Sequence, residues 1–271
     1  MSDSFSLKNK SFIVTGGTGV LGKSFVEAIA SAGGNIGILG RNKMLAEERA
    51  HAVIAAGGNA IALVADITRE EDLIQANDEM LSCFGRIDGL VNGAGGNIPE
   101  AVVQPDSDIF SIDLNAMDKV MKLNLWGTLL TTQIFGRSIA KNKKGSIVNI
   151  SSVSSSRTLT RVLGYSLAKA SVDCYTRWMA VELANRFGDA LRMNAIMPGF
   201  FLTEQNRTLL TNTNGSYTER GELIVQHTPF KRLGHADELK GALVWLLSDA
   251  SQFVNGTIIT VDGGFNAFSG V

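Results

Sequence analysis

The sequence predicts a single doubly wound α/β domain, with about seven parallel strands covered by helices on both faces. Short apolar runs alternate with longer helical patterns along the 271 residues, glycine pairs end several helical patterns, and no Pro- or Ser-rich linker divides the chain. Strand–helix–strand repeats of this kind give parallel strands joined by right-handed crossovers. We therefore expect residues 1–271 to form one domain.

The predicted elements follow one another regularly. The strands are expected at 11–15, 35–39, 60–65, 87–92, 146–150, 191–197 and 257–261. The helices are expected at 20–32, 43–56, 69–84, 165–187 and 236–247, with one long helix or a broken pair at 113–140. Segments 97–113 and about 202–233 are polar and irregularly spaced. Long irregular segments in a compact domain are often lids or binding loops, so we expect the second to be a substrate lid.

Charge and composition exclude several classes of function. The formal net charge is -1, which gives no electrostatic reason to expect nucleic acid or an anionic membrane as a partner. Cys83 and Cys174 lie far apart, and no cluster of histidine, cysteine or aspartate has metal-ligand spacing. The first ten residues lack the apolar core of a signal peptide, and no apolar run approaches the ~20 residues of a spanning helix. We expect a cytoplasmic protein that binds no metal and acts on a small molecule.

A glycine-rich segment lies between the first predicted strand and the first helix. Gly16 permits a tight turn, Gly19 lets the backbone approach a pyrophosphate, and Gly22 allows close packing of the helix on the strand. The helix N-terminus offers amide donors to phosphate. The alternative is a glycine-rich turn without a ligand. We predict a dinucleotide site that also includes Thr18, Val20 and Leu21.

The end of the second strand bears on the choice of cofactor. An acidic residue there would bind the adenosine ribose hydroxyls and favour NAD, but the sequence has Arg41 followed by Asn42. The planar guanidinium of Arg41 suits a 2′-phosphate, which favours NADP(H) and leaves NAD(H) open. The alternative is that Arg41 is a solvated turn residue.

Tyr165 and Lys169 are separated by four residues and therefore share a helix face. A tyrosine with a pKa near ~10 is a poor base at neutral pH, and a nearby ammonium lowers that pKa. We expect Tyr165 to take the hydroxyl proton of an alcohol during oxidation and to give a proton to the ketone oxygen during reduction. Ser152 follows a predicted strand, where it can hydrogen-bond the substrate oxygen.

At these residues the chain resembles the short-chain dehydrogenase/reductase family, from Lys8 to about Phe265. The residues that carry the resemblance are the glycine loop, Asp66-Ile67, Asn92-Gly93-Ala94-Gly95, Asn124, Asn149-Ile150-Ser151-Ser152, Tyr165 to Lys169, Pro198-Gly199 and Asp262-Gly263-Gly264. The resemblance implies a Rossmann-type fold, oxidoreductase activity on CH–OH groups and a tetramer or dimer. It also implies a catalytic set of Asn124, Ser152, Tyr165 and Lys169, with Asn124 holding a relay water and Lys169 binding the nicotinamide ribose.

The same resemblance implies further cofactor contacts, at Asp66, Ile67, Asn92, Gly93, Ala94, Pro198, Gly199 and Thr203. Two departures from the family pattern stand out. The glycine spacing is that of the extended members, and Gly93 replaces the usual second asparagine, which would leave more room beside the cofactor.

Segments 92–97, 157–161, 199–207 and 262–271 resemble those of D-mannonate oxidoreductases (fructuronate reductases) within the family. A sugar acid needs a cation for its carboxylate and polar groups for its hydroxyls. We therefore expect substrate contacts from Asn97, Ser152, Arg157, Arg161, Gln205 and Arg207. The alternative for each arginine is a solvated side chain or a pair with a local acid.

Two other functions stay open at this point. One is reduction of another sugar, a polyol or a 3-oxoacyl substrate, although the polar lid and paired arginines argue against a greasy acyl chain. The other is a non-catalytic nucleotide-binding sensor, because a fold alone does not fix function. The intact set of Asn124, Ser152, Tyr165 and Lys169 favours an enzyme.

Overall fold

Seven strands form one sheet in the computed structural model, which describes residues 3–203 and 206–270. Their bounds are β1 (Ser11–Thr15), β2 (Asn35–Gly40), β3 (Asn59–Val64), β4 (Gly89–Asn92), β5 (Gly145–Ile150), β6 (Leu191–Pro198) and β7 (Ile258–Val261). Every neighbouring pair is parallel, and the order across the sheet is β3-β2-β1-β4-β5-β6-β7. The predicted doubly wound parallel sheet is confirmed.

The direction of the crossovers reverses between β1 and β4, because the chain leaves β1 toward β3 and then returns to β4. At this point Thr15 at the end of β1 pairs with Asn92 at the end of β4. Asn92 in turn pairs with Asn149 of β5. Such reversals open a crevice at the carboxyl ends of the strands, where α/β sheets bind ligands.

Helices cover both faces of the sheet. Their bounds are α1 (Val20–Ser31), α2 (Lys43–Ala55), α3 (Glu70–Phe84), α4 (Leu114–Met121), α5 (Gly127–Lys141), α6 (Leu163–Phe187), α7 (Arg207–Leu210), α8 (Glu219–His227) and α9 (Lys240–Leu247). Alternate residues of β1 point to opposite faces. Phe12 and Val14 pack with α1 and α9, whereas Ile13 packs with α3, α5 and α6. Within the described residues, no helix is both long enough and apolar enough to span a bilayer.

The segment predicted at 113–140 takes the form of a broken pair. A π-helical turn at Lys122–Trp126 joins α4 to α5. Single π-helical turns inside α-helices often occur at functional sites. Here the turn contains Asn124, one of the predicted catalytic residues.

The segment at 202–233 is more regular than the sequence suggested, since it contains α7 and α8. The Thr218 hydroxyl caps α8 by accepting a hydrogen bond of 3.1 Å from the Gly221 amide. Leu210, Ile224 and Leu233 form a small apolar cluster beneath these helices. Because α8 buries so few apolar residues, its helical periodicity is weak in the sequence.

Candidate active site

The glycine loop makes a narrow turn where the crossovers reverse. Gly16 has a φ of +67°, and a Cβ there would lie 2.8 Å from the backbone of Ala94. A Cβ on Gly22 would lie 2.1 Å from the Gly16 carbonyl oxygen, so both positions require glycine. Gly19 is the residue before α1, and no side chain among the described residues caps the amide groups at the N-terminus of that helix. The turn fits the pyrophosphate of a nicotinamide dinucleotide, because the free amides of the helix N-terminus lie beside a backbone that a ligand can approach.

The ends of β2 and β3 bring together the residues predicted to hold the adenosine. Arg41 is exposed after β2, and Asn42 caps α2 by accepting a 3.1 Å hydrogen bond from the Leu45 amide. The Asp66 carboxylate accepts hydrogen bonds of 2.8 Å from the amide and the hydroxyl of Thr68. Burial raises the pKa of Asp66, but the Thr68 hydrogen bonds and the nearby charge of Arg41 lower it overall. Arg41 and Asp66 thus lie at one edge of the sheet.

Asn92 is turned toward the interior. Its amide nitrogen donates to Thr132 Oγ1 at 3.0 Å and to Asn149 Oδ1 at 2.8 Å, and its oxygen accepts from Thr131 Oγ1 at 2.7 Å. The Asn149 amide continues this chain to Thr176 Oγ1 on α6 at 2.9 Å. We call Asn92, Asn149, Thr131, Thr132 and Thr176 the polar ladder. With its side chain fully used there, Asn92 is left with its backbone to contact a cofactor.

Ser152, Tyr165 and Lys169 line one cleft of about 250 Å³, here called the active-site cleft. Other residues of the predicted site that line this cleft are Leu21, Gly93, Asn97, Pro198, Gly199 and Thr203. The Ser152 hydroxyl accepts a hydrogen bond of 3.2 Å from the Ser154 amide. The fold therefore brings the catalytic candidates to the side of the sheet where the glycine loop lies.

Burial controls the titration of the Tyr165 and Lys169 pair. The pKa of Tyr165 is raised by burial and partly brought back by a hydrogen bond with the Ser152 side chain. Lys169 donates to the Ile150 carbonyl at 2.7 Å, and its Nζ lies 5.5 Å from the centre of the Tyr165 ring. Burial lowers the pKa of Lys169 to about 8, against the opposing charge of Asp173. The net shift of the Tyr165 pKa in this state is therefore upward, opposite to the lowered value expected beside an ammonium, because desolvation dominates.

Asn124 holds the loop that follows β4. Its amide nitrogen donates to the Gly96 carbonyl at 2.7 Å and to the Val120 carbonyl at 2.9 Å, and its oxygen accepts from the Gly96 amide at 2.9 Å. A Cβ on Gly95 would lie 2.6 Å from Asn124 Oδ1 and 3.3 Å from Lys169 Nζ. Asn124 and Lys169 thus border the same small space.

The predicted substrate arginines do not share one environment. Arg157 donates to the backbone carbonyls of Asn266 and Phe268, and so ties the loop after β5 to the C-terminal segment. Arg161 donates to Gln104 at 2.7 Å. Arg157 and Arg161 line a second cavity of about 900 Å³ that adjoins the active-site cleft.

The remaining predicted substrate residues are placed as follows. Asn97 lines the active-site cleft, and its buried Oδ1 has no hydrogen-bond partner within the described part of the chain. Arg207 is exposed at the start of α7. Gln205 lies outside the described residues.

Two arginines near the site were missed in the sequence. Arg49 of α2 donates to the carbonyls of Gly17 and Gly19 and supports the glycine loop from below. Arg220 of α8 lines both the active-site cleft and the adjoining cavity. Neither belongs to a motif, and the placement of both depends on how a helix folds back over the sheet.

Comparison with known proteins gives matches over nearly the whole chain. A family model described as enoyl-(acyl carrier protein) reductase matches residues 18–266. The uncharacterized oxidoreductase UxuB of Bacillus subtilis is 39% identical over 275 residues, covering 98% of each protein.

Solved structures agree with these matches. A Haemophilus influenzae protein provisionally described as a D-mannonate oxidoreductase, with bound NAD, has a TM-score of 0.90 and 38% identity over 98% of each chain. A gluconate 5-dehydrogenase of Burkholderia cenocepacia, in complex with NADP and tartrate, has a TM-score of 0.86 and 31% identity over 98% of each chain. The extent of these matches, together with the sheet order and the residues around the cleft, shows that the chain belongs to the short-chain dehydrogenase/reductase family, as an NAD(P)-dependent oxidoreductase acting on CH–OH groups.

Proposed function

We propose that the protein interconverts D-mannonate and D-fructuronate, or a closely related pair of sugar acids. The observation that carries this proposal is the polar lining of the active-site cleft, where the buried Oδ1 of Asn97 has no hydrogen-bond partner among the described residues and Arg220 contributes a cation. A substrate hydroxyl can donate a hydrogen bond to the Asn97 oxygen, and a substrate carboxylate can pair with the Arg220 guanidinium. The resemblance to a provisional D-mannonate oxidoreductase and to a gluconate 5-dehydrogenase supports the same class of substrate.

The roles of the catalytic side chains follow from where they lie. When bound, the nicotinamide cofactor supplies or accepts the hydride at the carbinol carbon. Tyr165 gives a proton to the substrate oxygen during reduction and takes it back during oxidation. Ser152 lies beside Tyr165 and orients that oxygen by a hydrogen bond. Burial raises the pKa of Tyr165, so its hydroxyl carries the proton that reduction of a ketone requires.

Lys169 and Asn124 act behind the tyrosine. Lys169 borders the cleft with an ammonium that is close to half protonated near pH 8, and it binds the ribose of the cofactor. We expect a water molecule near Asn124 to connect Lys169 to solvent and to return the proton that Tyr165 has given away, since Asn124 and Lys169 both lie close to Gly95. Their proximity to Gly95 supports these two roles.

We assign the cofactor preference to NADP(H), on the basis of Arg41. The side chain is exposed at the end of β2, where the 2′-phosphate would lie, and the position carries no acid to bind the free ribose hydroxyls. Replacing Arg41 with aspartate should lower kcat/KM for NADP and raise the preference for NAD. A cofactor ratio equal to that of the wild type would show that Arg41 does not contact the 2′ position.

We further propose a homo-oligomer, tetrameric or dimeric, built on the long helices α5 and α6. Large apolar side chains are exposed there, including Leu167, Trp178 and Val181 on α6 and Trp126 just before α5. Exposed apolar patches of this kind mark protein–protein contacts. Light scattering on the purified protein measures the mass of the assembly directly.

A second candidate function is reduction of a 3-oxoacyl thioester. The apolar side chains that line the cleft favour it, among them Leu159, Val162, Phe200 and Leu209. Turnover of a substrate panel separates the two functions, followed by the absorbance of the reduced nicotinamide. The panel contains D-fructuronate, other keto sugar acids, neutral ketoses and acetoacetyl thioesters. Failure to reduce any keto sugar acid would exclude the sugar-acid function, and turnover of the thioester would establish the second.

A further inference from the structure

Two arginines approach each other at the boundary between the active-site cleft and the adjoining cavity. Arg220 reaches this point from α8 and lines both spaces, whereas Arg161 lies in the loop before α6 and lines the larger cavity. The Arg220 guanidinium contacts Thr160, next to Arg161 in the chain, at 3.4 Å and 3.5 Å. The charge of Arg161 is thus close enough to act on Arg220, which itself lines the cleft with Ser152 and Tyr165.

No acid in the described residues neutralises this pair. None of the ion pairs in residues 3–203 and 206–270 involves Arg161 or Arg220. The buried Nε of Arg161 has no hydrogen-bond partner within the part of the chain that the structure describes, and the contacts of Arg220 with Thr160 are at the long limit for hydrogen bonds. Burial, and then the charge of Arg161, lower the pKa of Arg220. Both side chains are half-buried, so water solvates their charges in part, and an anion placed between them would be attracted by both.

The backbone at this point is strained as well. Arg161 has a φ of +76°, in the left-handed region that a residue with a side chain rarely adopts. Its carbonyl accepts a hydrogen bond of 2.9 Å from the Val103 amide, which holds the conformation in place. Strain of this kind persists where the surrounding structure requires one particular orientation, and it concentrates at ligand sites.

We propose that Arg220 and Arg161 together bind the carboxylate of the substrate while its ketone lies against Tyr165 and Ser152. This inference rests on the proposed sugar-acid function and identifies the residues that select for the acid. In D-fructuronate the carboxylate and the ketone stand near opposite ends of the carbon chain, so one molecule reaches from the cleft to the pair. Ser154 lines both spaces, and its Oγ, which no described residue hydrogen-bonds, is available to a substrate hydroxyl between them.

Arg157 is less suited than Arg220 to bind the substrate carboxylate. Its guanidinium already donates hydrogen bonds to the carbonyls of Asn266 and Phe268, and it lines the adjoining cavity but not the active-site cleft. Binding a carboxylate there would require breaking these contacts. Arg220, in contrast, reaches the cleft and lies on α8, within the segment expected to act as a lid.

The test compares an acid with its neutral analogue in a complex that cannot react. D-Mannonate and D-mannitol differ only at the carboxylate, and each is titrated calorimetrically into the enzyme saturated with its reduced cofactor. We expect Arg220→Met to weaken D-mannonate binding relative to D-mannitol by about 10- to 100-fold, the value of a charge-assisted hydrogen bond. Arg161→Met should act in the same direction, and Arg220→Lys should restore part of the loss.

Arg137→Met serves as the matched control, since Arg137 is exposed on α5 and lines neither cavity. Equal urea midpoints show that the variants are folded. D-Mannonate binding that is unchanged in both Arg220→Met and Arg161→Met would overturn the inference, even if the wild type reduces D-fructuronate.

The same experiment separates this inference from the proposed substrate. If the wild type turns over neither D-mannonate nor D-fructuronate, the titration is repeated with D-gluconate and L-tartrate. Binding of either acid that Arg220→Met weakens supports the arginine pair and excludes only the named substrate. The absence of binding of any hydroxy acid to the wild type overturns the inference.

Discussion

Replacing Lys169 with methionine should change how stability depends on pH. Lys169 is 4% exposed, and burial lowers its pKa from 10.5 to about 8. Because the pKa is lower in the folded state, the unfolded chain binds more protons between these two values, and stability rises with pH through this range. From pH 7 to pH 9 this one group should add about 1.3 kcal/mol to the free energy of unfolding. The methionine variant should lack that increment.

Urea denaturation at both pH values, at one protein concentration, measures the effect. With an m-value of about 3 kcal/mol/M, the increment corresponds to a shift of about 0.4 M in the wild-type midpoint that the variant does not show. The substitution also leaves the Ile150 carbonyl without its donor, but that loss is the same at both pH values and cancels in the comparison. Parallel pH dependences in the two proteins would refute the lowered pKa of Lys169.

Three further substitutions in the site, and a control at Gly241 on α9, test other features of the protein. Tyr165→Phe should lower kcat by about 10²- to 10⁴-fold and weaken cofactor binding far less, as measured by turnover and cofactor fluorescence; retained turnover would remove Tyr165 from the proton transfer. Gly22→Ala should weaken cofactor binding and stability, because its Cβ would lie 2.1 Å from the Gly16 carbonyl oxygen. A Cβ on Gly241 of α9 would have no described atom within 4 Å, so Gly241→Ala should raise the free energy of unfolding by about 0.5–1 kcal/mol. Equal effects of the two alanine substitutions on thermal unfolding would contradict the steric argument for Gly22. Asn97→Ala should raise the KM for the sugar acid by about fivefold and change kcat less, and an unchanged KM would show that no hydroxyl binds there.

The features that depend on short-range spacing were predictable from the sequence. Gly16, Gly19 and Gly22 form the expected turn between β1 and α1. Tyr165 and Lys169 share one face of α6 because residues separated by four positions do so in any α-helix. The glycine turn and the pairing of Tyr165 with Lys169 each depend on residues close together in the chain, so both can be recognised before the fold is known.

Features that depend on distant parts of the chain were not predictable. Arg157 is engaged by Asn266 and Phe268, more than a hundred positions away, and nothing near it in sequence indicates this. Arg220 reaches the cleft because α8 packs over it, and α8 was itself too polar to recognise. The raised pKa of Tyr165 depends on burial by the assembled fold, whereas the sequence showed only the neighbouring ammonium.

The polar ladder has a consequence for the orientation of α6. Thr176 lies seven residues, or about two turns, after Lys169, and its hydroxyl accepts the amide of Asn149 at the centre of the sheet. Together with the hydrogen bond from Lys169 to the Ile150 carbonyl, this bond joins one face of α6 to β5 and restrains rotation of the helix about its own axis. We therefore expect Asn149→Leu to retain the strands and helices but to displace the hydroxyl of Tyr165 from its position beside the substrate carbon that receives the hydride.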